Sequence, residues 1–109
     1  VLPADVGSRD AMDKVAAQTI QRFGQIDTWV NNAGVSEYSL IWEQPAEDIE
    51  RLIQTNILGV IYGCQAALCT GGLKARGGTI INVGSVLSDR VVPLQGVYCA
   101  TKHAVKGFT

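Results

Sequence analysis

Ile26-Asp27-Thr28-Trp29-Val30-Asn31-Asn32-Ala33-Gly34 passes from β-branched and aromatic residues into a polar turn closed by glycine. Strands favour such short apolar runs, and Asn and Gly supply the backbone conformations that tight turns need. Ile26 to Asn31 therefore reads as a buried strand ending in a tight loop. The same pattern returns later. Gly77-Gly78 precedes Thr79-Ile80-Ile81-Asn82-Val83, which runs into Gly84-Ser85 and reads as a second buried strand with a polar exit. Near the start, Asp5-Val6-Gly7 has the character of a strand end and turn.

Helical spacing fills the intervals. Ser8 is placed to cap a helix through Phe23, with Met12, Val15, Ala16, Ile20 and Phe23 forming its apolar stripe and Gly24 its left-handed stop. Pro45 suits a first helical turn, and Glu47, Asp48 and Glu50 set negative charge at the positive end of the dipole, so a long helix is predicted to about Thr70. Its second part, Ile57 to Leu68, is apolar nearly all round, as in a helix covered on several faces, and Gly59 and Gly63 are expected to allow close packing. A strand end, helix, strand, helix, strand and helix in that order indicate an α/β chain with a parallel sheet. In such sheets ligands bind beyond the carboxyl ends of the strands. Asp5-Val6, Asn31 to Gly34, and Ser85 all fall at such ends.

The last helix opens with Tyr98-Cys99-Ala100-Thr101-Lys102. Residues four apart share a helix face, about 5–6 Å apart at Cβ, so the phenol and the ammonium look into the same space. A phenol titrates near ~10, and a neighbouring ammonium favours the phenolate, which would fit the pair for acid/base work at neutral pH. The same spacing also arises as an exposed lysine beside a half-buried ring. Asn56 sits mid-helix, where asparagine is a poor helix former. It is either a core amide satisfied by a neighbouring carbonyl or a functional group.

Composition narrows the classes. At 109 residues, 47% hydrophobic and 17% charged with a formal net charge of −1, the chain reads as one globular domain without the basic excess that nucleic-acid binding requires. Ile57 to Leu68 is too short for a membrane span, no signal peptide precedes it, and a cytoplasmic setting is expected. Cys64, Cys69 and Cys99 are odd in number, with no C-x-x-C pair and no histidine at ligand spacing. They are expected to be small buried thiols, with neither a disulfide framework nor a metal site. Trp29 and Trp42 read as packing residues, and His103 as a solvated or dimer-facing one.

Taken together, Asn31-Asn32-Ala33-Gly34 after a strand, Asn56 in the long helix, Ser85 after the next strand, and Tyr98 with Lys102 resemble the classical short-chain dehydrogenase/reductase family, over essentially the whole chain. The resemblance implies a Rossmann-type doubly wound parallel sheet, of which this chain holds the central strands and helices. It implies hydride exchange between NAD or NADP and a small alcohol or ketone substrate. In it, Tyr98 is the general acid/base, Lys102 its electrostatic partner and a ligand of the nicotinamide ribose, and Ser85 a hydrogen-bond partner of the substrate oxygen. Asn56 holds a water that links Lys102 to solvent. Asp5 and Val6 meet the adenine, while Asn31, Ala33 and Gly34 line the adenosine and ribose. The loop from Val86 to Val97, with Val86, Leu87 and Gln95, and the segment Ser36 to Tyr38 are the expected substrate contacts. The parent is expected to be a homodimer or homotetramer.

The family's glycine-rich phosphate loop and the residue that selects NAD or NADP are missing from this sequence. Residues 1–109 are therefore expected to be a partial NAD(P)-binding catalytic domain, truncated at both ends and inactive by itself. The competing expectation is a non-catalytic dinucleotide-binding or dimerising module.

Overall fold

The computed structural model describes all 109 residues. Helix α1 spans Arg9–Phe23, capped by Ser8, whose Oγ accepts the Ala11 N–H at 3.3 Å. It stops at Gly24, where φ is 85° and the N–H closes onto the Ile20 carbonyl at 2.7 Å. Strand β1 is Thr28–Asn31 and strand β2 is Thr79–Asn82; they pair in parallel with Thr28 opposite Thr79 and Asn31 opposite Asn82. Between them runs one long helical segment, made of α2 (Ala46–Ile53), a π turn (Gln54–Leu58) and α3 (Gly59–Leu68). A short helix α4, Leu73–Arg76, precedes β2, and α5, Gly96–Phe108, closes the chain.

Helix α3 is the centre of the packing. On one flank, Ala66 joins Met12 and Ala16 of α1 and Ile26 in a buried cluster, with Trp29 and Tyr62 against it. On the other, Val60 and Cys64 meet Val105 of α5, with Ile80 of β2 packed on them. The small residues make this approach possible. A Cβ on Gly63 would lie 2.0 Å from Asn31 Oδ1, and one on Gly59 would lie 2.9 Å from Val6 Cγ2. The expected close packing at both glycines is therefore found.

Several expectations are corrected. Val1 to Asp5 forms no strand, because no neighbouring strand offers it a ladder; only the turn at Val6-Gly7 is formed. The two strands are not buried on both faces. Trp29, Asn31, Ile80 and Asn82 are partly covered, whereas Val30 and Ile81 are 51% and 46% exposed. The helices that touch the sheet lie on its Trp29/Ile80 side, and a sheet face is buried only where a second layer covers it. Phe23 is exposed, with the Arg22 guanidinium 5.6 Å from its ring centre, and Trp42 is exposed rather than packed. Cys64 and Cys99 are buried thiols, but Cys69 is exposed. The π turn and α4 were not anticipated; four residues carry too little periodicity to be read as a helix. No helix is long and apolar enough to cross a membrane.

Candidate active site

Parallel pairing brings the exits of both strands to one rim. Asn31 and Asn82 stand opposite each other at that rim, and the Asn31 amide donates to Asn82 Oδ1 at 2.8 Å while its own Oδ1 accepts the Trp29 indole N–H at 2.8 Å. The Val83 N–H donates to the Asn31 carbonyl at 3.0 Å, prolonging the ladder into the loop. This polar clasp fixes where Asn32-Ala33-Gly34 and Gly84-Ser85 leave the sheet.

The π turn presents Asn56 to the same rim. Its Oδ1 accepts the Val35 N–H at 2.9 Å, and its Nδ2 donates to the Val35 carbonyl at 2.8 Å and to Thr101 Oγ1 at 3.0 Å. Asn56 is 1% exposed, so a mid-helix asparagine is tolerated here because both amide hydrogens are used. π turns insert one residue into a helix and are frequent at functional sites. The Thr101 hydroxyl in turn donates to the Tyr98 carbonyl at 2.7 Å. The loop after β1, the π turn and the first turns of α5 are thereby one connected unit.

Tyr98 and Lys102 share a face of α5, with Lys102 Nζ 5.9 Å from the Tyr98 ring centre. Lys102 is only 6% exposed and donates to the Val83 carbonyl at 3.1 Å. An ammonium has three donors, so two remain without a protein acceptor. Burial with no carboxylate against it pushes the Lys102 pKa down from the ordinary 10.5. The Tyr98 hydroxyl has no protein hydrogen bond and lines an open cleft of about 520 Å³. Ser85 lines the same cleft. Its Oγ accepts the Leu87 N–H at 3.1 Å, which leaves the hydroxyl hydrogen free to be donated outward, and its own N–H is held by Ser88 Oγ at 3.1 Å. Val86, Leu87, Val92 and Pro93 form apolar parts of the wall, and Ser36, Tyr38 and Gln95 polar ones.

Ser85, Val86, Leu87, Gln95 and Tyr98, named from the sequence, therefore meet in this cleft, together with Ser36 and Tyr38, whereas Glu37 of the same segment lines a neighbouring cleft. Val6, Asn31 and Ala33 line a separate cavity of about 140 Å³ with Met12, Trp29 and Gly59. Asp5 lies beside it in a turn, its Oδ1 accepting the Gly7 N–H at 2.9 Å. Gly34 lines neither space: a Cβ there would lie 3.5 Å from Asn56 Oδ1 and 3.6 Å from Lys102 Nζ. The missing side chain leaves open space beside the ammonium. His103 is exposed and engages the Cys99 carbonyl through Nδ1 at 2.8 Å, away from the cleft.

Three residues carry weight that the sequence did not announce. Asn82 stands as a lone polar residue inside an apolar run, a signal that could have been followed, whereas Thr101, directly before Lys102 and His103, has no such mark. Leu94 had no signal: its φ of 67° is left-handed, a conformation costing a non-glycine residue roughly 1–2 kcal/mol. The Ser39 N–H donates to its carbonyl at 2.8 Å, joining the two loops that flank the cleft.

The family model described as short chain dehydrogenase matches residues 1–109. Sorbitol dehydrogenase of Cereibacter sphaeroides is 40% identical over 108 residues, which are 96% of this chain and 41% of that protein. The solved structure of an actinorhodin polyketide ketoreductase variant with NADPH superposes with a TM-score of 0.94 at 34% identity, over 97% of this chain and 41% of the other. A short chain dehydrogenase/reductase from Burkholderia phymatum in complex with NAD gives a TM-score of 0.90 at 28% identity, over 96% and 37%. The chain spans 30% to 42% of the length of the first curated relatives it matches.

Proposed function

Because this chain belongs to the short-chain dehydrogenase family, we propose that it supplies the catalytic portion of a longer NAD(P)-dependent oxidoreductase that interconverts a small alcohol and its carbonyl compound. The observation that carries this reading is the shared cleft of Tyr98 and Ser85, with the Lys102 ammonium 5.9 Å from the centre of the tyrosine ring. Similar proteins hold NADPH or NAD, and a nicotinamide dinucleotide supplies or accepts the hydride of such a reaction.

The roles follow from what each group has free. The Tyr98 hydroxyl, with no protein partner, gives its proton to a carbonyl oxygen in reduction and takes it back in oxidation. Ser85 donates its free hydrogen to the same oxygen and stabilises the charge that develops there. The Lys102 ammonium offsets negative charge on the tyrosine oxygen, and its two unused donors hold ribose hydroxyls in the room left by Gly34. Val6, Asn31 and Ala33 bound the adenosine side, with Asp5 at its margin. Asn56 Oδ1 accepts only the Val35 N–H among protein donors, and the role carried over from the family for Asn56 is to hold a water that links the Lys102 ammonium to solvent.

Replacing Tyr98 with Phe in the full-length protein tests the assignment. Turnover falls by about 10²–10⁴-fold, the range for a lost general acid, while NADH and NADPH affinities stay as they were. Unaltered turnover in Tyr98→Phe overturns the role of Tyr98, and a full-length parent that binds the dinucleotide without turnover leaves a non-catalytic dinucleotide-binding or dimerising module.

A further inference from the structure

Gln95 occupies the N-cap of α5, a position that ordinarily offers a side-chain oxygen to the helix, yet its side chain makes no capping bond. It makes no other protein hydrogen bond either, although the residue is only 5% exposed. No buried side-chain nitrogen or oxygen in the chain is left unsatisfied, so the Gln95 amide keeps access to solvent, and the space it lines is the Tyr98 cleft. The backbone enforces this placement. Leu94 is held left-handed immediately before it, with the Ser39 N–H on the Leu94 carbonyl at 2.8 Å, and strained backbone of this kind concentrates at ligand sites. Gln95 lies three residues before Tyr98 in the chain, and both line the same cleft. None of the nine residues around the cleft carries a charge. Glu37, Asp48 and Arg51 line a neighbouring cleft instead.

We propose that the substrate is an uncharged carbonyl compound bearing a second hydroxyl or carbonyl oxygen close to the reacting carbon, and that the Gln95 amide binds this second oxygen. This rests on the alcohol/carbonyl activity proposed above and adds its substrate class. An amide can donate to a carbonyl or hydroxyl and accept from a hydroxyl, so both an oxo and a hydroxy neighbour are served. Among the residues of this chain that line the cleft no cation stands, so a carboxylate entering it would meet only neutral hydrogen-bonding groups there. A site that hydrogen-bonds a substrate oxygen rejects the analogue lacking it, because its own polar group is left unpaired.

The test uses the full-length protein with matched ketones of four and six carbons, each as the plain ketone, the α-hydroxy ketone and the 2-oxo acid, followed by nicotinamide absorbance. The α-hydroxy ketones exceed the plain ketones in kcat/KM by about tenfold or more, and the 2-oxo acids are the poorest. In the near-isosteric variant Gln95→Met the preference for the hydroxy ketone collapses towards one, with the change in KM larger than that in kcat and NADPH affinity unmoved. Gln95→Asn, which keeps an amide, regains part of the preference. Plain ketones turned over as well as hydroxy ketones, or a preference that survives Gln95→Met, overturns this inference and leaves the oxidoreductase reading standing. No turnover of any of the compounds, with Tyr98→Phe indistinguishable from the parent, removes both.

Discussion

The Asn56 amide donates to the Thr101 hydroxyl across 3.0 Å, tying the π turn to the helix that carries Tyr98 and Lys102, and both partners are 1% exposed. Thr101→Val keeps the shape and removes the hydroxyl. Asn56 Nδ2 then retains only Val35 as acceptor, and a buried donor left short costs about 1–3 kcal/mol. Denaturant unfolding of the full-length protein should show that loss, and Thr101→Ser should recover most of it. An unmoved midpoint in Thr101→Val would mean that the contact does not brace the helix.

Gly63 and Gly34 should respond to alanine in opposite ways. At Gly63 the new Cβ falls 2.0 Å from Asn31 Oδ1 and 3.0 Å from Trp29 Nε1, so the Asn31–Asn82 clasp must break or α3 must shift. Overpacking of this kind costs about 1–3 kcal/mol, and Gly63→Ala should lower the melting temperature. At Gly34 the new Cβ makes only ordinary contacts with Asn56 and Lys102, and its φ is not left-handed. Gly34→Ala should therefore fold as well as the parent and lose cofactor affinity by about tenfold or more, because it fills the room beside the ammonium. Equal cofactor affinity, measured by calorimetric titration, would remove Gly34 from the binding surface.

The sequence was most informative where function and local chemistry coincide. The polar exits of β1 and β2, the Tyr98–Lys102 spacing and the glycines of α3 were each legible because one residue type answers one geometric need. Parallel pairing then brought Asn31 and Asn82 level, as α/β order required. Burial was less legible. Ile80 and Ile81 are chemically alike, but one packs on Val60 and the other is 46% exposed, since only the tertiary arrangement decides which sheet face is covered. Trp42 and Phe23 were misread for the same reason. The π turn was visible only as an awkward asparagine, and the left-handed Leu94 not at all, because leucine has no preference for that conformation and the contact that holds it comes from the distant Ser39.

The three thiols should separate cleanly by modification. Burial raises the Cys64 pKa, against smaller opposing contributions from its hydrogen bonds with Asn82 and Asn31. The thiolate is the reactive form, so a buried, raised thiol is doubly protected. Iodoacetamide at neutral pH followed by peptide mass spectrometry should label Cys69 first, with Cys64 and Cys99 appearing only on unfolding. Early labelling of Cys64 would contradict the packing of α3 on β2.

The depressed pKa of Lys102 predicts a pH dependence of definite sign. Desolvation penalises the ammonium in the folded protein, so Lys102 loses its proton at a lower pH folded than unfolded. Below the folded value both states are protonated and the penalty is present in full. Between that value and 10.5 the unfolded chain binds more protons, and this residue's contribution to stability rises with pH. Under the proposed role of Lys102, function moves the other way, because the donors that would hold the ribose belong to the ammonium. Cofactor affinity should therefore weaken as pH climbs through the folded Lys102 value, and Lys102→Met should be weak at every pH with that limb abolished. Nitrogen-15 NMR of the lysine side chains in the cofactor-free protein locates the titration directly, and a Lys102 midpoint at or above 10.5 would show that the ammonium is not desolvated.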